Sequence, residues 1–190
     1  WLSQSSFRRV LSGWAAGFFF AAAVLTKWLP LMFLPGMVLL SGSGRLRQAA
    51  PGFFIGSAVF IALFWPEVQN GFHTLFIYVA NWEFSGFAFR LLRTVSGSGA
   101  VARLVLVLAS TTVAGILYFR CFRSVGGFRQ GDTAENRLLI LRTFYGLAVA
   151  FLLLTPTLHP WYALYLAALL PFAAGPAGLV LSWSVLLGYR

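Results

Sequence analysis

Residues 155–162 read Thr-Pro-Thr-Leu-His-Pro-Trp-Tyr, a short polar interruption between the apolar runs Leu138–Leu154 and Trp161–Phe172. The flanking runs are long enough to lie in a bilayer, and each proline between them removes a backbone donor and ends or kinks a helix. Tryptophan and tyrosine, which follow the second proline, favour the headgroup level of a membrane. The stretch therefore predicts membrane helices that meet at a membrane–water interface, where the His159 imidazole can exchange a proton near neutral pH. The alternative is a helix-ending turn with a hydrogen-bonded histidine.

The composition of the whole chain also indicates a membrane protein. Of its 190 residues, 59% are hydrophobic and only 9% are charged, whereas about a quarter of the residues of a soluble domain are charged. The net charge of +10 arises from basic residues at the junctions of apolar runs, where they act as topology determinants. No basic stripe remains outside those junctions, so the sequence predicts no nucleic-acid partner.

The order of apolar runs predicts an all-α fold, a polytopic transmembrane helical bundle with several spans and some short or broken helices. The chain begins with Trp1 and carries no signal-peptide pattern, so we expect residues 1–190 to be a single transmembrane domain and a fragment of a larger polytopic protein. The predicted apolar segments are Val10–Thr26, Leu31–Leu40, Ala49–Pro66, Val101–Phe119, Leu138–Leu154, Trp161–Phe172 and Leu179–Gly188. Ser41–Gln48 and Arg120–Arg137 are predicted to be loops.

The distribution of charge predicts which side of the membrane each connection faces. If the segments alternate in direction, one side receives the residues Arg8, Arg9, Arg45, Arg47, Arg120, Arg123, Arg129, Arg137 and Arg142. The positive-inside rule makes that side the cytoplasm. The external side then receives Lys27, a long loop over residues 67–100 with one or two interfacial helices, and Thr155–Tyr162. This convergence requires Leu31–Leu40 to cross the membrane.

The cations predicted on the external side are suited to a lipid phosphate or diphosphate at headgroup depth. Cations that could contact the phosphate are Lys27, Arg90 and Arg93, and aromatic side chains that could stack on a sugar ring are Trp82, Trp161 and Tyr162. Proton transfer could involve His159 or Glu83. Other roles remain open: Lys27 could snorkel to the interface, Glu83 could pair with an arginine, and the aromatics could be interfacial anchors.

The sequence predicts neither a metal site nor an organic cofactor. Its two histidines and few carboxylates lack the close spacing of zinc ligands. Motifs for nucleotide phosphates and for an activated serine are also absent. A divalent cation at the substrate phosphate is left open.

Three stretches resemble segments of the GT-C fold glycosyltransferases, in particular bacterial mannosyltransferases that depend on polyprenol-phosphate-mannose. The stretches are Gly13-Trp14-Ala15-Ala16-Gly17 running to Leu25-Thr26-Lys27-Trp28-Leu29-Pro30-Leu31, then Asn81-Trp82-Glu83-Phe84-Ser85-Gly86, and Pro156-Thr157-Leu158-His159-Pro160-Trp161-Tyr162. The resemblance implies a multi-pass enzyme of the bacterial inner or plasma membrane whose active site faces away from the cytoplasm. It also implies a polyprenyl-phosphate-linked sugar donor, a glycan or lipid acceptor and inversion at the sugar carbon.

The resemblance implies roles for two residues, Lys27 as a phosphate contact and His159 as a polar active-site residue. Enzymes of this group usually carry a catalytic carboxylate in the first external loop, and the chain has no counterpart of that loop. The main alternative function is a transporter or flippase of a lipid-linked sugar, for which the broken helices at Pro30–Gly36 and Gly175–Gly178 would suit alternating access. A transporter would place ionisable groups near the membrane midplane, whereas here they crowd at one face, apart from Arg142. A structural assembly subunit is a third possibility.

Overall fold

Helices account for nearly all of the described chain, because an apolar segment in lipid must satisfy its own backbone hydrogen bonds. The computed structural model describes residues 4–27, 29–81, 86–126, 133–173 and 176–187, and no β-strand forms within these ranges. The α-helices are α1 (Gln4–Thr26), α2 (Leu34–Leu63), α3 (Trp65–Asn81), α4 (Phe87–Ser96), α5 (Gly99–Val125), α6 (Ala134–Leu154), α7 (Ala163–Leu169) and α8 (Pro176–Leu187). Short 3-10 segments cover Leu29–Phe33, Pro160–Tyr162 and Leu170–Phe172. The all-α prediction is confirmed.

Three helical segments in the described ranges are long and apolar enough to cross a bilayer: Leu46–Leu63 within α2, Gly99–Val125 and Ala134–Leu154. Large apolar side chains on α5 are mostly exposed, as on a surface that faces lipid. Other apolar helical stretches are shorter, and they cover Val10–Thr26, Leu29–Leu39 and Ala163–Phe172. The three long helices indicate a membrane protein.

One predicted loop is helical instead, and another is helical at both of its ends within the described residues. Ser41–Gln48 lies inside α2, so helical backbone hydrogen bonding continues through its glycines and serines. The loop predicted from Arg120 is also shorter, because α5 continues to Val125 and α6 starts at Ala134. Cys121 and Val125, four residues apart, are both buried. The face of α5 that packs against the rest of the protein therefore continues past Arg120 and Arg123 to the end of the helix.

Helices α1 and α2 pack so closely that their backbones touch. A β-carbon at Gly17 would overlap the carbonyl oxygen of Ala49, and a β-carbon at Gly52 would overlap the carbonyl oxygen of Trp14. Small residues spaced four apart on both helices permit this approach, as in membrane helix pairs generally. The four glycines at this interface are Gly13 and Gly17 in α1, and Gly52 and Gly56 in α2.

The register of this pair shows that α1 and the second part of α2 run in the same direction. Trp14 lies opposite Gly52, and Phe18 lies opposite Gly56. The chain between Thr26 and Gln48 must therefore return along the second half of α1, a distance of about 20 Å at 1.5 Å per helical residue. This is the path that the predicted topology requires of Leu31–Leu40.

The returning segment packs against α5 and α6. The Tyr118 hydroxyl donates a hydrogen bond to the carbonyl oxygen of Met32, and the Phe33 ring lies 5.0 Å from the Phe144 ring. Further along, Leu39 is buried in one cluster with Cys121, Val125, Ile140 and Phe144. The segment thus descends from the C-terminal end of α1 toward the C-terminal end of α5. Because the second part of α2 runs the other way beside α1, α2 reverses its direction between Leu39 and Gln48.

These contacts define two ends of the molecule. The arginine-rich end carries Arg8, Arg47, Arg120, Arg123 and Arg137, near the start of α1, the middle of α2, the end of α5 and the start of α6. The histidine end carries Lys27, Gly86 and residues 155–162, at the ends of α1 and α6 and before α4.

Candidate functional site

The polar segment after α6 is a closed turn. The Thr155 N–H donates to the carbonyl oxygen of Phe151 and ends the helix. The Thr155 hydroxyl donates to the Thr157 carbonyl oxygen at 2.9 Å and accepts from the Thr157 N–H at 3.3 Å. Both threonines and His159 are buried. Side-chain bonds of this local kind give the backbone an alternative to the helix, so the turn fixes the direction in which His159 leaves α6.

An aromatic stack holds the imidazole of His159. Its ring lies 4.3 Å from the Trp161 ring, centroid to centroid, with an angle of 12° between the planes. Tyr162 meets the imidazole edge-on at 5.5 Å, and Phe151 of α6 packs on Tyr162 at 5.2 Å. The Tyr162 N–H also donates to the His159 carbonyl oxygen. The short 3-10 segment thus folds the aromatic pair back over the histidine.

Lys27 reaches the same stack from the other end of the sequence. Its Nζ lies 5.2 Å from the centroid of the Trp161 ring and 5.5 Å from that of Tyr162, within the range of cation–π attraction. Lys27 follows the last residue of α1, and its N–H still donates to the carbonyl oxygen of Ala23. The returning segment, anchored on α5 and α6, keeps this end of α1 beside residues 155–162.

The surroundings of His159 favour its neutral form. Burial lowers the pKa of the imidazole below its ordinary value of 6.5, and the positive charge of Lys27 lowers it further. The imidazole is therefore neutral near pH 7 and can accept a proton or a hydrogen bond.

This depressed pKa predicts how stability depends on pH. When the pH falls below about 6.5, His159 binds a proton in the unfolded chain before it does so in the folded protein, so the free energy of unfolding decreases. The decrease continues until the pH passes the folded-state pKa, with a slope of at most about 1.4 kcal/mol per pH unit for one proton. The measurement is the thermal unfolding midpoint in detergent between about pH 5 and pH 8.

In the variant His159→Gln, the thermal unfolding midpoint should fall less steeply below about pH 6.5 than it does in the parent protein. His73, which lies exposed on α3, supplies the matched control in His73→Gln. If the unfolding midpoints of the parent and of His159→Gln depended on pH in the same way, the lowered pKa assigned to His159 would be contradicted.

Helix α4 begins directly against the turn. A β-carbon at Gly86 would lie 2.5 Å from the carbonyl oxygens of both Thr155 and Pro156. Three residues later, Phe89 is buried against Ala102 and Leu106 of α5. The first turn of α4 is therefore held at the histidine end.

Three arginines lie on or beside α4. Arg90 and Arg93 lie exposed on α4, one helical turn apart. The guanidinium of Arg103 on α5 lies 5.4 Å from the Phe89 ring. The predicted cations Arg90 and Arg93 thus belong to the same end of the molecule as Lys27, but not to the stack around it.

The structure brings together four of the residues that the sequence singles out: Lys27, His159, Trp161 and Tyr162. Two others, Trp82 and Glu83, lie outside the described residues. Gly86 and the two threonines of the turn were quoted within predicted stretches but had no predicted role of their own. The Thr-x-Thr pattern directly after a helix is a local signal for such a turn, whereas the close approach at Gly86 has no local signal.

The site groups the Lys27 ammonium and the neutral His159 imidazole around the Trp161 indole, which is 43% exposed. The ammonium can bind an anion, the imidazole can accept a proton, and the indole can stack on a sugar ring. Within the described ranges, no three His, Cys, Asp or Glu side chains come close enough to hold a metal ion. No family model, curated protein or solved structure matches the chain.

Proposed function

We propose that the protein is an integral membrane glycosyltransferase of GT-C type in a bacterial inner or plasma membrane. It transfers a sugar, with mannose as the first candidate, from a polyprenyl-phosphate donor to a glycan or lipid acceptor at the histidine end, on the external face. The observation that carries the proposal is the position of Lys27. Its ammonium lies against Trp161 and Tyr162 while His159 stacks on the same Trp161.

The leaving group in this reaction is a lipid phosphate. The bond between the anomeric carbon and the phosphate oxygen breaks, and negative charge develops on the departing polyprenyl phosphate. Lys27, at the end of α1, would lie at the depth of a lipid headgroup, where its charge can stabilise that phosphate. Arg90 and Arg93 supply further cations on the same end of the molecule.

The new bond joins the anomeric carbon to an acceptor oxygen, whose proton must leave. A neutral imidazole can take that proton, and burial keeps His159 neutral. The aromatic stack supports this role because it fixes the ring plane, and the partly exposed Trp161 offers a face for the sugar. Glu83 remains a second candidate base on the segment that precedes α4.

The experiment is sugar transfer by the protein in proteoliposomes, with a polyprenyl-phosphate sugar or a nucleotide sugar offered in separate reactions. We expect product from the lipid-linked donor alone. Movement of that donor between leaflets without transfer would instead support the flippase alternative, and the absence of both activities would contradict both functions.

The variant Lys27→Met should reduce transfer roughly tenfold to a hundredfold, because one charge that stabilises the transition state is lost. The matched control is Arg47→Met, which removes an exposed cation from the arginine-rich end. Equal activity of the two variants would remove Lys27 from the site.

A further inference from the structure

A shallow groove runs along one face of α5, toward the arginine-rich end and away from the histidine end. It is wide open, and all of its lining residues belong to α5 and recur at the three- and four-residue spacing of a helix face. They include Gly115, Ile116, Phe119, Arg120, Arg123 and Ser124. The groove therefore has an apolar half toward the middle of the helix and a cationic half at its end.

The apolar half has room for a flexible hydrocarbon chain. A β-carbon at Gly115 would meet no other atom within 4 Å. Beside that opening, Ile116 and Phe119 are 48% and 62% exposed. An acyl chain lying along the helix would cover both side chains and occupy the gap that glycine leaves.

The cationic half carries two arginines close to the C-terminal end of the long apolar helix α5. Arg120 and Arg123 are both exposed and lie one turn apart. The guanidinium of Arg123 lies 5.8 Å from the Phe119 ring, a contact that orients the charged group over the groove. Basic residues near the C-terminal end of a helix are also favoured by the helix dipole. The dipole gives no reason, however, for the exposed apolar residues that adjoin Arg120 and Arg123 on the same face.

We propose that this groove holds an anionic glycerophospholipid of the surrounding membrane. The phosphate would bind Arg120 and Arg123, with the Ser124 hydroxyl beside them, and one acyl chain would follow Ile116 and Phe119. Basic pockets on membrane helices commonly bind anionic headgroups. A second copy of this chain is a poorer occupant, because it brings only 4 acidic residues against 14 basic ones. This proposal does not depend on the proposed sugar transfer.

The test is lipid binding by the purified protein in a neutral detergent. Phosphatidylglycerol and phosphatidylcholine with the same acyl chains are titrated separately, and retained lipid is counted by native mass spectrometry alongside the thermal unfolding midpoint. We expect phosphatidylglycerol to be retained and to raise the midpoint more than phosphatidylcholine does. The variant Arg120→Gln/Arg123→Gln should bind phosphatidylglycerol about 25-fold more weakly, at roughly fivefold per arginine.

Two further variants separate the groove from general surface charge. Gly115→Leu fills the apolar half, and it should weaken binding of both lipids without unfolding the protein, since its side chain enters open space. Arg8→Gln/Arg47→Gln removes two exposed arginines from the same end and should change phosphatidylglycerol binding less than about threefold.

Three results would overturn the proposal. An equal loss of phosphatidylglycerol binding in Arg120→Gln/Arg123→Gln and in Arg8→Gln/Arg47→Gln would mean that the lipid responds to the overall positive charge of this end. Equal stabilisation by soluble glycerophosphoglycerol would point to a free anion rather than a lipid. A change from dimer to monomer in Arg120→Gln/Arg123→Gln, with lipid retention unchanged, would assign the groove to a second copy of the chain.

Discussion

Replacing Gly17 by leucine is expected to separate α1 from α2 and to lower the free energy of unfolding by about 3 kcal/mol or more. A β-carbon at this position would overlap the carbonyl oxygen of Ala49 and lie 2.8 Å from the backbone nitrogen of Phe53. Both atoms belong to the backbone of α2, so no side-chain rotation can relieve the overlap. The helices must move apart, and the close packing that the glycines permit is lost.

The measurement is the thermal unfolding midpoint in detergent, together with the yield of monodisperse protein. Gly71→Leu on α3 is the matched control, because a β-carbon at Gly71 meets nothing within 4 Å. In that helix, replacing glycine removes a residue of poor helix propensity, so the control should be neutral or slightly stabilising. A parent-like midpoint for Gly17→Leu would contradict the contact between the two backbones.

Separation of α1 and α2 should also affect the candidate site. Lys27 follows α1 directly, and its place beside Trp161 depends on the end of that helix. We therefore expect any Gly17→Leu protein that survives purification to lose sugar transfer as well as stability.

Replacing His159 by glutamine is expected to reduce sugar transfer by a factor of about 10² to 10⁴, the usual contribution of a positioned general base. Glutamine keeps a neutral hydrogen-bonding side chain but cannot take a proton from the acceptor hydroxyl. This expectation rests on the proposed function. The measurement is the transfer rate from the lipid-linked donor in proteoliposomes, with saturating acceptor.

The control for this loss is His73→Gln, which replaces the other histidine at an exposed position on α3. His159→Gln also removes a buried ring that stacks on Trp161, so its unfolding midpoint is measured beside its turnover, and the loss of turnover should far exceed any loss of folded protein. Parent-like turnover in His159→Gln would show that the histidine is part of the turn's structure and has no role in proton transfer.

Several properties of the fold follow from sequence alone. The apolar runs after Ala49, Val101 and Leu138 predict the long helical segments of α2, α5 and α6, because hydropathy and backbone pairing in lipid are local constraints. The polar residues after Leu154 end α6 as predicted, since proline acts on its own turn. Helix boundaries were less predictable: Ser41–Gln48 contains glycines and arginines typical of a loop, yet it is helical within α2.

The candidate site was predictable in its residues but not in its geometry. Lys27 and His159 stand out by charge and by flanking proline, and the expected convergence on one end depended on a return of the chain after Thr26. That return is visible in the parallel register of α1 and α2 and in the contacts of Met32, Phe33 and Leu39 with α5 and α6. The stack of His159 on Trp161 and the position of Lys27 above it likewise come from packing.

What the sequence by itself determined is therefore the class of protein and its long apolar helices, because hydropathy and proline act within a few residues of themselves. The tertiary structure alone decided the parallel contact of α1 with α2, the seating of α4 on the carbonyl oxygens of Thr155 and Pro156, and the cation above the aromatic stack. Each of these depends on distant residues meeting at a particular register, and many registers are compatible with the same pattern of apolar residues. The shapes of the packed surfaces select the register, because Gly17, Gly52 and Gly86 lack a side chain and so let the backbone of a neighbouring segment come close.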